Sequence, residues 1–172
     1  MIWTRHFKGF TKNKHIGSVK IKRESVIINF VLGIGFIKNI EINSLVSALC
    51  IKHMIDFISK NKKTVIAHLT ARLGSISDNN IGGWLSYRAS KAAQHMIIKT
   101  ASIELARNYN KLIIIGLHPG TVSTKLSKPF LKTAKIVFEP EESAKKLTAV
   151  IENLDYKATG KVYDYSGKLI PY

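Results

Sequence analysis

The sequence contains one cysteine, few prolines and few acidic residues. Because Cys50 is the single cysteine among 172 residues, an internal disulfide bond and a cysteine-based zinc site are excluded, which fits a reducing compartment. Four prolines and an apolar fraction of 45% argue against a disordered chain. The length predicts one globular domain over residues 1–172. The six histidines show no metal-ligand spacing, so no metal site is predicted.

Acidic residues are scarce relative to basic ones. The chain has 27 lysines and arginines against 11 aspartates and glutamates, a formal net charge of +16. Such a field favours polyanions, so nucleic-acid binding must be weighed. The lysines are spread along the chain, however, and no zinc-finger, RRM or helix-turn-helix pattern accompanies them. A basic nucleic-acid binder is therefore the least favoured interpretation.

Targeting and membrane signals are also lacking. Residues 1–10 contain no apolar core of the kind that a signal peptide carries. The longest apolar run, residues 26–37, is shorter than the ~20 residues that a membrane-spanning helix needs. The sequence thus predicts a cytoplasmic protein with no membrane partner.

Alternating strand and helix patterns predict an α/β fold. Apolar, β-branched runs or turn signals predict strands at residues 25–33, 63–70, 111–118 and 160–167. Helical spacing or helix-start signals predict helices at residues 44–60, 86–108 and 139–154. Residues 1–24 are basic and weakly patterned, although residues 16–22 could form a short strand. Because the strands show little alternation, we expect a doubly wound parallel sheet covered on both faces.

Reactive side chains follow two of these strands. In doubly wound sheets, reactive groups gather at the carboxyl ends of the strands. Thr70 and Ser75 come at or after the end of the 63–70 strand, and Thr121 follows the 111–118 strand. The helix that carries Tyr87 begins directly after the intervening loop. Topology therefore predicts these groups at one edge of the sheet.

Tyr87 and Lys91 stand four residues apart, so they share one face of a helix. A free phenol has a pKa of ~10, and a nearby positive charge lowers it. A tyrosine beside a lysine can then exchange a proton with a carbonyl or alcohol. Tyr87 is alone among the six tyrosines in having lysine at this spacing. One chance pair is nevertheless expected in so lysine-rich a chain, so the spacing alone leaves a structural role open.

Several segments, taken in order, resemble the short-chain dehydrogenase/reductase family. Y-R-A-S-K-A-A, which contains Tyr87 and Lys91, looks like the family's Y-x-A-S-K-A active-site helix. L-H-P-G-T-V-S-T (117–124) looks like its P-G-x-x-x-T segment, and E-I-N (41–43) like a helix start. V-I-I-N-F-V-L-G resembles the strand that ends in N-N-A-G. The loop before Tyr87 and the last residues resemble the C-factor or sniffer-like branch. The resemblance covers residues 25–172 and implies a Rossmann-like sheet.

The resemblance implies roles for individual residues. Tyr87 would be the general acid/base, and Lys91 would lower its pKa and bind the nicotinamide ribose. Asn43 would be the structural and proton-relay asparagine. Asn29, the surviving first asparagine of the strand motif, is assigned to the cofactor site. Further contacts with NAD or NADP are assigned to Pro119, Gly120, Thr121 and Thr124.

The serine that polarises the substrate carbonyl is ambiguous. The family's usual spacing to Tyr87 falls on Gly74, one residue before Ser75. An alternative register puts it at Thr70 or Ala71. Ser75 is preferred over Thr70.

The family's first βαβ unit is not found in this sequence. It carries T-G-x-x-x-G-I-G, whose glycines let the backbone approach the cofactor pyrophosphate at a helix N-terminus. The fold is therefore expected to be N-terminally incomplete, with residues 1–24 a divergent basic segment. The choice between NAD and NADP, which the family reads near its second strand, stays open.

Two main functions follow. One is an NAD- or NADP-dependent oxidoreductase acting on a small-molecule carbonyl/alcohol pair. The alternative is a truncated, non-catalytic relative or interaction protein, suggested by the missing glycines. In either case the helices at residues 44–60 and 86–108 resemble the family's subunit-interface helices, which implies a homodimer or homotetramer.

Overall fold

The computed structural model describes residues 34–172. The strands predicted at residues 16–22 and 25–33, together with Asn29, lie outside the described residues. The strands are β1 (Thr64–Leu69), β2 (Leu112–His118), β3 (Thr121–Val122), β4 (Val137–Phe138), β5 (Val162–Asp164) and β6 (Leu169–Ile170). The α-helices are α1 (Ile34–Ile40), α2 (Val46–Met54), α3 (Leu85–Ala106) and α4 (Pro140–Glu152).

The main sheet has the order β1-β2-β5-β6. Strands β1 and β2 run parallel with Thr64 opposite Leu112, and β2 runs parallel to β5 with Gly116 opposite Val162. The last strand, β6, turns back antiparallel to β5. The predicted α/β fold with parallel strands is confirmed, and the antiparallel β6 is an addition that the sequence did not predict.

Strand β2 is buried from Leu112 to Leu117 because both faces of the sheet are covered. On one face, Leu112 and Ile114 pack in a cluster with Ile51 of α2 and Ile98 of α3. On the other face, Ile113, Ile115 and Leu117 pack with residues of α4 and the segment after it. Alternate side chains of β2 thus pack against helices on opposite faces of the sheet. This packing fixes the position of α3 against the sheet.

The first helical segment includes α1, whereas the sequence predicted a helix start at residue 44. It runs from α1 through a π-helical turn, Glu41–Leu45, into α2 and ends in a 3₁₀ turn, Ile55–Phe57. The motif E-I-N therefore lies inside the helix. π-Helical turns are rare and occur often at functional sites. This one carries Asn43 and Ser44.

Helix α3 follows three consecutive residues with left-handed backbone. Gly82, Gly83 and Trp84 have φ angles of 64°, 74° and 48°. Glycine adopts this region freely, whereas tryptophan does so rarely. Arg88, in the first turn of α3, donates from Nε to the carbonyl oxygens of Gly82 and Gly83 at 3.2 and 3.0 Å. The side chain thereby holds the turn from which the helix begins.

Helix α4 begins as predicted, with Pro140 in its first turn and Glu141 and Glu142 near its N-terminus. A small parallel pair, β3 and β4, precedes it. None of the helices within residues 34–172 combines the length and apolarity that crossing a membrane would need.

Candidate active site

Tyr87 and Lys91 are neighbours on α3, as the spacing predicted. The Lys91 ammonium lies 5.8 Å from the centroid of the Tyr87 ring. Lys91 is only 8% exposed, and Tyr87 is half-buried. Two of the three ammonium N–H donors have partners: Gln94 Oε1 at 3.1 Å and the Leu69 carbonyl at 3.5 Å. One donor thus remains for a further acceptor.

Burial shifts the pKa of both groups. It lowers the pKa of the Lys91 ammonium from 10.5 to about 8. It raises the pKa of the Tyr87 hydroxyl, in the direction opposite to the lowering expected from the sequence. The cause is burial, which disfavours the charged phenolate. Tyr87 is therefore protonated near neutral pH and suited to donating a proton.

Asn43 lies beside the active-site helix. Its Nδ2 donates to Ser90 Oγ at 3.0 Å, and Ser90 Oγ donates to the Tyr87 carbonyl at 2.8 Å. Its neighbour Ser44 donates to the Ser90 carbonyl at 2.8 Å. The π-helical turn is thus held to the Tyr87 turn of α3 by two hydrogen bonds, and the bond within α3 connects Ser90 to Tyr87.

A second connection between the same helices runs through Gln94. Gln94 Nε2 donates to Ser47 Oγ at 2.8 Å, and Ser47 Oγ donates to the Asn43 carbonyl at 3.1 Å. Ser47 and Gln94 are both buried. Neither residue was predicted from the sequence, because a polar residue on a helix is typical of a solvated face.

Ser75 and Thr70, the two candidates for the hydroxyl that polarises the substrate carbonyl, differ in their hydrogen bonds. Ser75 is 2% exposed, and its Oγ accepts a hydrogen bond from the Asp78 amide at 3.1 Å, which leaves its O–H free to donate. Thr70 Oγ1 is paired with His95 Nε2 at 2.9 Å. Within residues 34–172, the Thr70 hydroxyl is thus engaged with a histidine, whereas the Ser75 O–H has no acceptor.

The loop that carries Ser75 is fixed to α3 and to the last residue. A Cβ built on Gly74 would lie 2.8 Å from the Lys91 carbonyl carbon and 2.7 Å from His95 Cε1. The amide of Ser77 donates to the Tyr172 carbonyl at 3.0 Å. The Tyr172 ring packs edge-on against His95, with centroids 6.5 Å apart. These contacts determine where Ser75 lies relative to Lys91.

The predicted cofactor residues after β2 lie apart from this network. The Pro119 carbonyl accepts a hydrogen bond from Ser143 of α4 at 2.9 Å. Gly120 has a φ of 78°, and a Cβ there would lie 2.8 Å from the Phe138 ring. Thr124 is exposed, and its amide and hydroxyl bond to Ser127. This geometry holds the segment but identifies no ligand.

Gly120 and Thr121 line a cleft of about 300 Å³ at the carboxyl ends of the strands. The same cleft is lined by Arg72, Lys135 and Asp164. Tyr87 and Lys91 do not line it. The structure therefore brings the predicted site residues together in two groups, one on α3 and one in the cleft.

An ion-pair chain joins the loop that carries Ser75 to strand β5 at the cleft. Arg72 donates to Asp78 at 2.9 Å and to the buried Asp164 at 3.2 Å. Burial would raise the pKa of the Asp164 carboxyl, but hydrogen bonds from Ser166 and Lys168 and the Arg72 charge lower it overall. The sequence suggested a turn at D-Y-S-G but gave no sign of the pairing with Arg72.

Outside these groups the described residues offer little further chemistry. A groove of about 530 Å³ lies between α4 and the β5–β6 turn and contains none of the predicted site residues. Residues 34–172 hold no group of three potential metal ligands. Cys50 is exposed on α2.

Comparisons with known proteins identify relatives but no matching family model. An uncharacterized oxidoreductase of Schizosaccharomyces pombe is 30% identical over 133 residues, covering 70% of this chain and 52% of the relative. C-signal of Myxococcus xanthus is 32% identical over 107 residues, 62% of this chain and 60% of the relative. The 1-hydroxy-2-glutathionyl-2-methyl-3-butene dehydrogenase of a Rhodococcus species is 32% identical over 135 residues, 78% and 58% respectively. The chain thus spans between half and three-fifths of the length of these relatives.

Solved structures share the fold. The carbonyl reductase Sniffer of Drosophila melanogaster superposes with a TM-score of 0.74 at 22% identity, covering 90% of this chain and 64% of that protein. The NADPH-bound carbonyl reductase from chicken fatty liver gives a TM-score of 0.69 at 24% identity, with the same coverage. The Rossmann-like fold predicted from the sequence is confirmed by these likenesses.

Proposed function

Because the chain belongs to the short-chain dehydrogenase/reductase family, we propose that it reduces a small-molecule carbonyl to the alcohol with NADPH or NADH. The observation that carries the proposal is the position of the half-buried Tyr87 beside the buried Lys91 ammonium. Burial keeps Tyr87 protonated, which suits a proton donor better than a base.

The donor set on α3 fits the nicotinamide half of the cofactor. Lys91 retains one N–H beyond its bonds to Gln94 and Leu69, and a ribose hydroxyl is a suitable acceptor for it. The fit does not extend to the pyrophosphate, since the sequence lacks T-G-x-x-x-G-I-G. NADP and NAD therefore stay equal candidates until binding is measured.

The protein's own groups would act as follows. A nicotinamide cofactor, when bound, would supply the hydride for the reduction. Tyr87 gives its phenolic proton to the carbonyl oxygen, so that the alcohol forms and a phenolate remains. The Lys91 ammonium stabilises that phenolate, and Ser75 donates a hydrogen bond to the same oxygen. Asn43 holds the Tyr87 turn through Ser90.

The proposal is tested by titrating the full chain with NADPH and NADH and following nicotinamide fluorescence, and then by screening carbonyl compounds. Tyr87→Phe keeps the ring beside Lys91 and removes the proton. It should retain cofactor affinity and lose about 10²- to 10⁴-fold in kcat. Turnover by Tyr87→Phe equal to that of the parent would reject Tyr87 as the acid.

A non-catalytic interaction protein is the second candidate, favoured by the missing glycine motif. It predicts a folded chain without saturable affinity for either dinucleotide. A micromolar complex with NADPH would eliminate it. Nucleic-acid binding, the third interpretation, requires an affinity that falls steeply with salt.

The exposed apolar side chains on the two interface-like helices support a homodimer or homotetramer. On the first helical segment these include Leu45, Leu49 and Phe57, the last 88% exposed. On α3 they include Met96 and Ile103. Large apolar residues clustered at a surface are typical of association sites.

A further inference from the structure

The acceptor that faces the Lys91 ammonium is the side-chain amide of Gln94. Gln94 is 4% exposed. Its Oε1 accepts from Lys91 at 3.1 Å, and its Nε2 donates to Ser47 Oγ at 2.8 Å and to the Leu69 carbonyl at 3.1 Å. Reversing the amide would set its NH₂ group against an ammonium and its oxygen against a carbonyl. The surroundings therefore fix one orientation, with the oxygen toward Lys91.

A series of hydrogen bonds between uncharged groups connects the Gln94 amide to the backbone of Tyr87. Ser47 Oγ accepts a hydrogen bond from Gln94 and donates one to the Asn43 carbonyl. The Asn43 side chain donates to Ser90 Oγ, which donates to the Tyr87 carbonyl. Within residues 34–172, no carboxylate forms an ion pair with Lys91. The ammonium is thus held by dipoles rather than by a counter-charge.

We propose that Gln94 is a positioning residue that fixes the Lys91 ammonium beside Tyr87 and ties it, through Ser47, to the backbone of Asn43. A side-chain amide holds its protons far more firmly than a hydroxyl or an ammonium does, so it orients the ammonium without relaying its proton. Burial already brings the pKa of Lys91 down to about 8. The hydrogen bond from the Lys91 ammonium to the Gln94 oxygen opposes this effect of burial by favouring the charged form. Its importance for turnover rests on the proposed reductase function.

The test is the titration of Lys91, followed by NMR of ¹³C-labelled lysine in the full chain and assigned with Lys91→Met. Gln94→Glu places a negative charge beside the ammonium and should shift the titration to higher pH. Gln94→Leu removes the acceptor and should shift it to lower pH. Ser47→Ala, which leaves the Gln94 oxygen in place, should give a smaller downward shift. Ser102→Ala is the matched control, because Ser102 is a buried hydroxyl on α3 that donates to the nearby Lys99 carbonyl at 2.7 Å.

Turnover gives a second readout. Gln94→Leu should lower kcat roughly 10- to 100-fold, as expected for a misplaced catalytic group, and Gln94→Glu should recover part of that loss. A purely structural Gln94 would lower the unfolding midpoint and leave the Lys91 titration unchanged, which would overturn the proposal. So would shifts of the same sign in Gln94→Glu and Gln94→Leu. Because the titration needs neither cofactor nor turnover, opposite shifts in an inactive chain would support the role of Gln94 while rejecting the reductase.

Discussion

Gly74 lies against the backbone of Lys91, so closely that a Cβ on Gly74 would meet the Lys91 carbonyl oxygen at 2.8 Å. This contact joins the loop that carries Ser75 to the helix that carries Tyr87. The φ angle of Gly74 is not left-handed, so the reason for glycine here is the close approach of the loop to α3.

Gly74→Ala should therefore separate the loop from α3. Overpacking of this kind costs about 1–3 kcal/mol of unfolding free energy, and the shift of Ser75 should lower kcat more than it raises KM. Urea unfolding and steady-state kinetics measure the two effects. Gly35→Ala is the matched control, because no described atom lies within 4 Å of its added Cβ. If Gly74→Ala were as stable as Gly35→Ala, the loop would be able to move away from α3 without a cost in stability, contrary to the prediction.

Buried histidines should make the protein sensitive to mild acid. Burial and the Lys91 charge lower the pKa of His95 from 6.5 to about 4. Burial and the Arg72 charge, partly offset by Asp164, lower that of His118 to about 4. The two imidazoles become protonated near pH 6.5 in the unfolded chain, but only near pH 4 in the folded chain. Stability is thus complete above pH 6.5 and falls by up to about 1.4 kcal/mol per pH unit for each histidine.

The measurement is urea unfolding between pH 7.5 and 4.5. His95→Gln should flatten the pH dependence, whereas His53→Gln, at an exposed position of α2, should leave the slope unchanged. A parent chain whose stability does not change over this range would contradict the prediction.

Arg88 should control the turn before Tyr87. Arg88→Met removes the donors to the Gly82 and Gly83 carbonyls and should cost about 1 kcal/mol, because these bonds are exposed. Gly83→Ala should cost a similar ~1–2 kcal/mol through its left-handed φ of 74°. Limited proteolysis should show faster cleavage at residues 82–84 in both variants. Unchanged cleavage in Arg88→Met would mean that the turn is held by other contacts.

Self-association should depend on the apolar surface of α3 and the first helical segment. Met96→Glu should shift a dimer or tetramer toward monomer in sedimentation velocity, because a charge would be buried at the contact. Ile81→Glu is the control, since Ile81 is 78% exposed but lies in the loop before α3. A parent chain that is monomeric at micromolar concentration would rule out the assembly.

The sequence predicted the middles of the longer elements well, because buried runs such as residues 111–118 and the spacing along α3 are strong local signals. It failed where tertiary contacts decide. The sequence predicted a helix only from residue 44, so the helical residues Ile34–Ile40 were missed. Strands of two residues, such as β6, are too short for periodicity to be read.

The residues of the candidate site also fall into those that the sequence identified and those that only tertiary packing reveals. Tyr87, Lys91 and Asn43 were identified from motif resemblance, and their roles stay predictions. Gln94 could not be found from local pattern, since a glutamine three residues after a lysine is usually solvated. Its burial is a consequence of the packing of α2 against α3.

The bond from Ser77 to the carbonyl of Tyr172 joins parts of the chain that are nearly a hundred positions apart in the sequence. The backbone at Tyr172 therefore helps to complete the loop that holds Ser75. Removing residues 169–172 would disturb the Ser75 loop as well as strand β6.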